Sequence, residues 1–467
     1  MPFACGGDAF TAGSADGGTT IDGAGDGAGG GDSMTADAPG EGSSDAPADV
    51  PFQLDGFGVD GAVTTVTGAV VDQFLIPMPG IDVHAQGQKA TTASDGSFTL
   101  TNITFPYVVT AVVPAPGNHK HGYVFDTLYR RSPTLQLAGE QAAPSESSNV
   151  SGTTGNDGPT AAGIVFADFP VATPATASPT ISIATGATGY AGALSWTGAS
   201  SVSPTFYVLQ WLETNGLPNG YIAYSSQVVP LTGGNSATWD PIASLGPVQS
   251  QMTVGLNVSS GYVPVVVSAY FQPQGAHTAA PFASDSKITS NMTSFVTPDI
   301  AGATFTACGV QAQPSADGGS TGAFGIACMA GLAKDATPTL ELPQGTTFVS
   351  PPTMAGIGTT FTFDPLPSGV YLLAFAPVTG TTATGDTLYV LTSSVQQKIP
   401  DLSALGFSVP HGATYVAEVV GFAPYVDIDA ATSPAGFDDY AVDFRLSKGP
   451  LTSGMLAHSQ AAVFTVQ

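Results

Sequence analysis

The sequence is poor in charge, and above all in positive charge. Only 9% of its 467 residues are charged, with nine Lys and Arg against 35 Asp and Glu, for a formal net charge of −26. An average soluble protein carries about 25% charged residues. Because so acidic a chain repels phosphate backbones and anionic lipid headgroups, we expect neither nucleic acid nor a bare anionic membrane as a partner.

Long apolar runs are also missing, since no stretch reaches 18 consecutive apolar residues. The sequence therefore predicts no membrane-spanning helix. Residues 1–4 supply neither a basic region nor a long apolar region, so no intact secretory signal is visible. We interpret this as a signal that was removed or a start that is misplaced.

Cysteine is scarce, with three in the chain. Cys308 and Cys328 bracket a turn-rich stretch, and each lies in a segment typical of a strand. We predict a β-hairpin closed by a disulfide, which would stabilise the fold by roughly 3 kcal/mol and indicate an oxidising compartment. Two buried free thiols are the alternative. A zinc site is disfavoured, because two cysteines supply half of a tetrahedral shell and no CxxC or HxxxH spacing accompanies them.

The first sixty residues contain eleven acidic residues and no Lys or Arg, and they are rich in Gly, Ala, Ser and Asp. Because the stretch 1–60 has no apolar periodicity, we predict a disordered tether. Ala4-Cys5-Gly6-Gly7 at its start resembles the mature N-terminus of bacterial lipoproteins, although Pro2 replaces the usual Leu. The resemblance implies that Cys5 carries a lipid. An unpaired cysteine in a truncated or leaderless chain is the alternative.

The rest of the chain is rich in Gly, Pro, Thr and Ser, and 43% of all residues are hydrophobic. Short runs of β-branched and aromatic residues between turn residues favour strands, and the length allows several cores. We predict an all-β protein made of tandem antiparallel β-sandwiches, Ig-like or transthyretin-like, after the tether. The predicted domains are a sandwich over 61–138, a linker over 139–162, a sandwich over 163–299 and a sandwich over 300–467.

Residues 63–137 carry a series of spaced motifs. These are Gly68-x-Val70-x-Asp72, Pro79-Gly80-x-x-Val83, Thr92-x-x-Asp95-Gly96-x-Phe98 and Asn102-Ile103. Through them the stretch resembles the carboxypeptidase regulatory-like family, a transthyretin-like seven-stranded sandwich. The resemblance implies a non-catalytic accessory module of the kind found on exported peptidases, receptors and surface proteins.

The C-terminal stretch 335–467 is similar to fibronectin type III domains. Pro410-x-Gly412-x-Thr414, with Tyr415 and Val419, matches their last long strand and its buried tyrosine, whereas Phe363 stands where those domains usually carry Trp. Ordered matches between the second and third predicted sandwiches, such as 262–267 with 415–420, also suggest a divergent repeat.

Candidate metal-binding groups are few. His119 and His121 lie on one side of an extended chain and could bind a metal, but no third ligand is near in sequence, so we favour a structural or solvent-exposed loop. A cluster of four acidic residues could bind Ca²⁺ through carboxylate oxygens, although without an EF-hand pattern we favour a solvated acidic edge. Its members are Asp427, Asp429, Asp438 and Asp439.

No HExxH or P-loop motif occurs, so we predict no enzymatic activity and no cofactor. Trp211 and Trp239 could line a sugar-binding face, since aromatic rings stack on pyranoses, but we favour the alternative that they fill a sandwich core. The features together predict a non-catalytic, exported, lipid-anchored cell-surface protein with a structural or adhesive role, whose partner is an extracellular protein or glycan. A carbohydrate-binding surface protein and an accessory part of a secreted hydrolase are the alternatives.

Overall fold

A computed structural model describes residues 61–467 except for 74, 141–145, 156–157, 171–172, 174, 176–178, 242–248, 289, 315–319, 350, 367–368, 379–384 and 434–452. These residues form strands, two 3₁₀ turns (Pro116–Asn118 and Ser403–Leu405) and one four-residue helix, α1 (Ile428–Ala431). The all-β class of tandem β-sandwiches is therefore confirmed. None of the described helices is long and apolar enough to cross a membrane. The predicted tether and Cys5 lie outside the described residues.

Seven strands form the first sandwich, unit 1. They are β1 (Val63–Val71), β2 (Asp82–Ala85), β3 (Gln88–Thr91), β4 (Ser97–Thr104), β5 (Tyr107–Ala115), β6 (His119–Leu128) and β7 (Thr134–Gln136). One sheet has the order β4-β1-β7, and the other has the order β3-β2-β5-β6. Phe98 and Leu100 alternate with exposed residues on β4 and face the core. A turn lies at Asp95-Gly96, and Gly96 has a φ of 73°.

Unit 2 repeats this arrangement with two extra short strands. Its strands are β8 (Glu146–Thr153), β9 (Ala161–Asp168), β10 (Thr180–Ile183), β11 (Gly189–Trp196), β12 (Ser201–Val202), β13 (Thr205–Thr214), β14 (Leu217–Val228), β15 (Leu231–Thr232) and β16 (Ser236–Thr238). The sheets have the orders β11-β8-β16 and β10-β9-β13-β14, and β12 pairs with β15. The first strand of unit 2, β8, pairs parallel with the last strand, β16, as β1 pairs parallel with β7 in unit 1.

Unit 3 has the seven-stranded order without additions. Its strands are β17 (Gln249–Asn257), β18 (Val263–Gln272), β19 (Ala280–Asp285), β20 (Met292–Pro298), β21 (Thr304–Pro314), β22 (Ser320–Leu332) and β23 (Thr339–Glu341). The small sheet is β20-β17-β23, and β19-β18-β21-β22 form the other sheet. Units 1, 2 and 3 are thus three copies of one topology.

Unit 4 contains the remaining elements. Its strands are β24 (Met354–Ala355), β25 (Thr360–Thr362), β26 (Val370–Pro377), β27 (Thr387–Thr392), β28 (Gln396–Lys398), β29 (Thr414–Ala423), β30 (Gly454–His458) and β31 (Ala462–Val466). The order β27-β26-β29-β30 repeats that of the larger sheet in the other units. Tyr415 is fully buried, and its hydroxyl donates to the carbonyl of Asp386 at 3.0 Å.

One sheet passes through three of the four units. Its path is β19-β18-β21-β22-β30-β29-β26-β27-β6-β5-β2-β3, which runs from unit 3 through unit 4 into unit 1. The strands β22 and β30 pair antiparallel, and the strands β27 and β6 pair parallel. The strands that would be open edges in isolated sandwiches are therefore joined to one another.

Unit 2 joins unit 3 by face packing instead. Strand β13 is buried on both faces, because Phe206 and Val208 point into the core of unit 2 while Tyr207, Leu209 and Trp211 pack against unit 3. A continuous apolar run is the sequence pattern that such double burial requires.

Two predicted boundaries differ from the observed strand pairing. The linker predicted over 139–162 contains β8, a mostly polar strand whose only large apolar residue, Val150, is buried. Its Ser, Asn and Thr residues have the composition of a linker, yet β8 is paired on both edges. The boundary predicted at 299/300 falls between β20 and β21, which belong to the same unit. The suggested repeat of 262–267 with 415–420 matches β18, the second strand of unit 3, with β29 of unit 4, whose place in the larger sheet is that of the fifth strand in the other units.

Candidate functional site

The last strands of units 1 and 3 share a local sequence that our sequence analysis missed. Residues 133–137 read Pro-Thr-Leu-Gln-Leu, and residues 338–342 read Pro-Thr-Leu-Glu-Leu. In unit 3 the carbonyl of Pro338 accepts from the Gly255 amide at 2.8 Å, and the Leu342 amide donates to Asn257 at 3.2 Å. Because alternate residues of a strand point to opposite edges, the backbone groups of Thr339 and Glu341 point away from β17.

That outer edge of β23 borders a cavity of about 890 Å³ between units 3 and 4. The cavity lies among the ends of β22, β23, β29 and β30 and the connections 343–347 and 364–366. Its apolar lining consists mainly of Ala327, Met329, Leu340, Leu342, Pro343, Pro365, Leu366, Ala423, Pro424 and Met455. We call this cavity the groove. Its volume and apolar lining are those of a binding site for a peptide or small molecule.

Gln311 holds one wall of the groove in place. This fully buried side chain on β21 donates to the carbonyls of Leu342 and Pro343 at 3.1 and 2.7 Å. Gly325 on β22 makes room for the same wall, because a Cβ at that position would lie 1.7 Å from the Pro343 carbonyl oxygen. In the sequence, a Gln at position 311 within an otherwise strand-like run was the signal that could have located this wall.

The charge at the groove is negative. Glu341 and Asp364 are among its lining residues, and no Lys, Arg or His is found among the described residues that line it. The carboxylate of Glu341 accepts from the side-chain Nδ2 of Asn257 at 2.5 Å, and that of Asp364 accepts from the Thr347 hydroxyl. Each carboxylate is therefore held in place by a neutral donor.

The disulfide predicted between Cys308 and Cys328 is present. The two residues are directly opposite each other on β21 and β22, and on its other edge Cys328 is paired with Gly454 of β30. Cys328 also lines the groove. The covalent link thus joins the two strands that form one side of the site.

His119 and His121 begin strand β6 and do not lie in a loop, which corrects the prediction. Each faces a different carboxylate, so the two imidazoles are not poised as a metal-binding pair. The Nδ1 of His121 lies 2.5 Å from Glu140, whereas that of His119 lies 3.8 Å from Asp386. Burial alone would raise the pKa of Glu140, but the bond to His121 and the hydroxyl of Tyr123 lower it below its ordinary value.

The predicted acidic cluster is divided by the structure, and Asp438 and Asp439 lie outside the described residues. Asp427 accepts the Ala430 amide at 2.8 Å and caps α1. Asp429 is buried and accepts the backbone amides of Tyr129 and Arg130 from unit 1, at 3.0 and 2.8 Å. Asp429 is therefore a junction residue and not part of a solvated acidic edge or an open Ca²⁺ site. Burial raises its pKa, against the opposing effect of the two amides.

The two tryptophans proposed for a sugar-binding face are both buried. Trp239 fills the core of unit 2, and Trp211 lies between units 2 and 3, with exposed fractions of 4% and 8%. At these exposures neither ring offers a flat face to a sugar, and both lie in packed interiors, the position that the sequence analysis favoured. Their apolar surface is used to join strands and units.

The described residues contain no group of three or more His, Cys, Asp or Glu placed to hold a metal ion. The groove has hydroxyls from Ser260, Tyr262 and Ser453, but its described lining offers no imidazole or amine as a general base beside them.

No protein-family model matches the sequence, and no curated protein matches it. Among solved structures, the Bacillus anthracis TIE protein aligns at 10% identity with a TM-score of 0.15, covering 61% of this chain and 51% of that protein. The BcpA major pilin subunit of Bacillus cereus aligns at 8% identity with a TM-score of 0.16, covering 61% and 100%. A DUF3823 family protein from Parabacteroides merdae aligns at 10% identity with a TM-score of 0.17, covering 47% and 100%.

The match to the first of these structures spans about half of that protein's length. At such TM-scores the likenesses support no inference about this chain. Its assignment as a series of β-sandwiches rests on its own sheet pairing.

Proposed function

We propose that the protein is a non-catalytic structural or adhesive protein of the cell surface. The observation that carries the proposal is the sheet shared by units 3, 4 and 1, in which strand pairing replaces flexible linkers between sandwiches. Such joints fix neighbouring units, which suits a protein that must present a binding site at a distance or transmit force.

Buried polar contacts support the same role. Asp386 accepts the amides of Lys120 and Ser408 at 2.9 and 2.7 Å, which ties unit 1 to unit 4. Asp168 accepts the amide of His277 at 2.8 Å, which ties unit 2 to unit 3. Hydrogen bonds between buried carboxylates and main-chain amides are directional and strong, so they specify the orientation of each unit.

Export and attachment are the finer parts of the proposal. The disulfide supports an oxidising compartment outside the cytoplasm. The Ala4-Cys5-Gly6-Gly7 sequence and the acidic stretch after it support a lipid on Cys5 and a tether, which would hold the sandwiches away from the membrane. Unit 1 would be an accessory module of the carboxypeptidase regulatory-like kind, supported by its seven strands and its Asp95-Gly96 turn.

Fractionation of the source cells tests this function, combined with protease treatment of intact cells and intact mass of the N-terminal peptide. We expect the chain in the envelope fraction, cleaved on intact cells, with an acyl adduct on Cys5 and linked Cys308 and Cys328. Cells that lack the chain should attach less to surfaces or to one another. An unmodified, cytoplasmic chain with free thiols would contradict the proposal.

A further inference from the structure

We propose that the groove binds an extended segment of another protein by strand addition to β23, and that the segment carries a Lys or Arg among small apolar residues. The inference deepens the proposed function and rests on it, because an adhesive protein needs a partner. It assigns a binding edge (Thr339–Glu341) and a chemistry for what binds there.

The first argument is the state of the edge. In the described part of the chain β23 ends its sheet and has no strand on the side away from β17. Unpaired main-chain groups on such an edge are a template for another extended chain. The amide of Thr339 points to this side, where the groove opens beside it.

The second argument comes from the equivalent edge in unit 1. There the amide of Thr134, which corresponds to Thr339 in the shared Pro-Thr-Leu motif, donates to the carbonyl of Thr432 at 2.8 Å. Thr432 belongs to the segment of unit 4 that follows α1. The same position of the same motif is therefore already used to bind a segment from outside its own sandwich.

The third argument is charge. An occupant of the groove would meet the carboxylates of Glu341 and Asp364 within an otherwise mostly apolar lining, which favours a cationic side chain flanked by small apolar ones. A second copy of this chain is disfavoured, because each copy carries a net charge of −26. The chain's own residues 1–60 are disfavoured for the same reason, since they contain no Lys or Arg.

The test uses the full chain and two labelled hexapeptides with blocked ends, Thr-Val-Lys-Val-Thr-Val and the same peptide with Glu in place of Lys. Fluorescence anisotropy should show saturable binding of the Lys peptide, at least about tenfold tighter than that of the Glu peptide. A Lys peptide that is N-methylated at alternate amides should bind about tenfold more weakly, because it cannot complete the ladder of main-chain hydrogen bonds.

Two charge reversals locate the site. The variant Glu341→Lys should weaken binding of the Lys peptide about tenfold, whereas Glu213→Lys in unit 2 should leave it unchanged. Thr339→Pro should also weaken binding, and if that variant does not fold, Glu341→Lys and the N-methylated peptide decide the result. Equal binding of the Lys and Glu peptides, equal effects of the two reversals, or no saturable binding would each overturn the inference.

Attachment of cells that display the wild-type or the Glu341→Lys chain separates this inference from the proposed function. Normal attachment by both, without peptide binding, would overturn the groove as the site and leave the adhesive role standing. Peptide binding without attachment by either chain would remove the adhesive role. A dimer that is dissociated by Glu341→Lys would identify a second copy as the occupant and overturn the proposal.

Discussion

Units 1 and 3 share a strand order and a final Pro-Thr-Leu motif, yet their last strands lie in different surroundings. The outer edge of β7 is covered by unit 4 through the bond from Thr134 to Thr432, and Asp429 of unit 4 binds Tyr129 and Arg130 just before that strand. The outer edge of β23 borders the groove and has no described strand beside it. One sandwich design thus serves as a closed joint in one place and as an open edge in another.

The two units also differ in how their central hairpins are stabilised. In unit 1 the hairpin β5–β6 is extended by β27 of unit 4, and Tyr123 stacks on Tyr389 across that joint at 4.6 Å. In unit 3 the hairpin β21–β22 is likewise extended by unit 4, through β30, and it carries the disulfide in addition. Strand pairing with unit 4 thus restricts both hairpins, and only that of unit 3 also has a covalent link.

The largest expected effect is loss of the disulfide. The double variant Cys308→Ala/Cys328→Ala should be about 3 kcal/mol less stable, because the bond closes a loop with a sequence separation of 20. Denaturant unfolding followed by circular dichroism measures the change. Reduction of the wild-type chain should have the same effect and should leave the double variant unaffected. Equal stability of the oxidised and reduced wild-type chains would show that unit 3 does not need the link.

The next largest effect should follow from removing the carboxylate of Asp429, which belongs to unit 4 and binds unit 1. Asp429→Ala should cost about 2 kcal/mol, because the amides of Tyr129 and Arg130 lose a buried charged acceptor. Hydrogen exchange should show faster exchange in peptides around 128–137. The matched control Asp427→Ala removes only the cap of α1 and should cost about 1 kcal/mol. A larger effect from the control would indicate that capping, and not the junction, is what matters.

A smaller effect should distinguish Thr134 from Thr339, the equivalent residues of the Pro-Thr-Leu motif in units 1 and 3. Thr134→Pro removes the bond to Thr432 and should cost about 1 kcal/mol, whereas Thr339→Pro removes no bond to a described strand and should be close to neutral. Thermal unfolding of the two variants side by side tests this. Equal destabilisation by the two prolines would remove the distinction between a closed and an open edge.

The smallest expected effect is on how stability changes with pH. It involves Glu140 and Asp429, which both bind residues of unit 1. Because the folded-state pKa of Glu140 is lowered, its contribution is present above its unfolded pKa and is lost as the pH falls below about 5. The raised pKa of Asp429 has the opposite sign, so its protonation at low pH favours the folded state.

We therefore expect Glu140→Gln to flatten the loss of stability between pH 7 and pH 4, and Asp429→Asn to steepen it. Unfolding free energies at the two pH values check both slopes. Identical slopes in wild type and Glu140→Gln would show that the bond to His121 does not contribute to the pH dependence.

Local features of the fold were predictable from the sequence. Alternation at Phe98 and Leu100, the turn at Gly96 and the pairing of Cys308 with Cys328 all follow from short-range patterns, and the structure has each of them. Such patterns report which face of a strand is buried and where a chain reverses.

Relations between units were not predictable in the same way. Asp429 accepts the amide of Tyr129, which is 300 residues away in the sequence. Because its neighbours in sequence are acidic, the sequence suggested a solvated edge or a Ca²⁺ site instead. Strand β8 has a linker's composition because its pairing with β11 and β16 uses main-chain groups. The repeated Pro-Thr-Leu-x-Leu motif was the signal that could have placed the last strands of units 1 and 3.

The parallel pairing of β6 with β27 has a consequence for biosynthesis. Lys120 and Asp386, which are bonded across this joint, are 266 residues apart in the chain. During synthesis, β6 emerges from the ribosome long before its partner, with the main-chain groups of one edge unpaired. We expect the nascent chain to require a chaperone, or a delay until synthesis is complete, before unit 1 can be closed, because an open apolar edge is prone to aggregate.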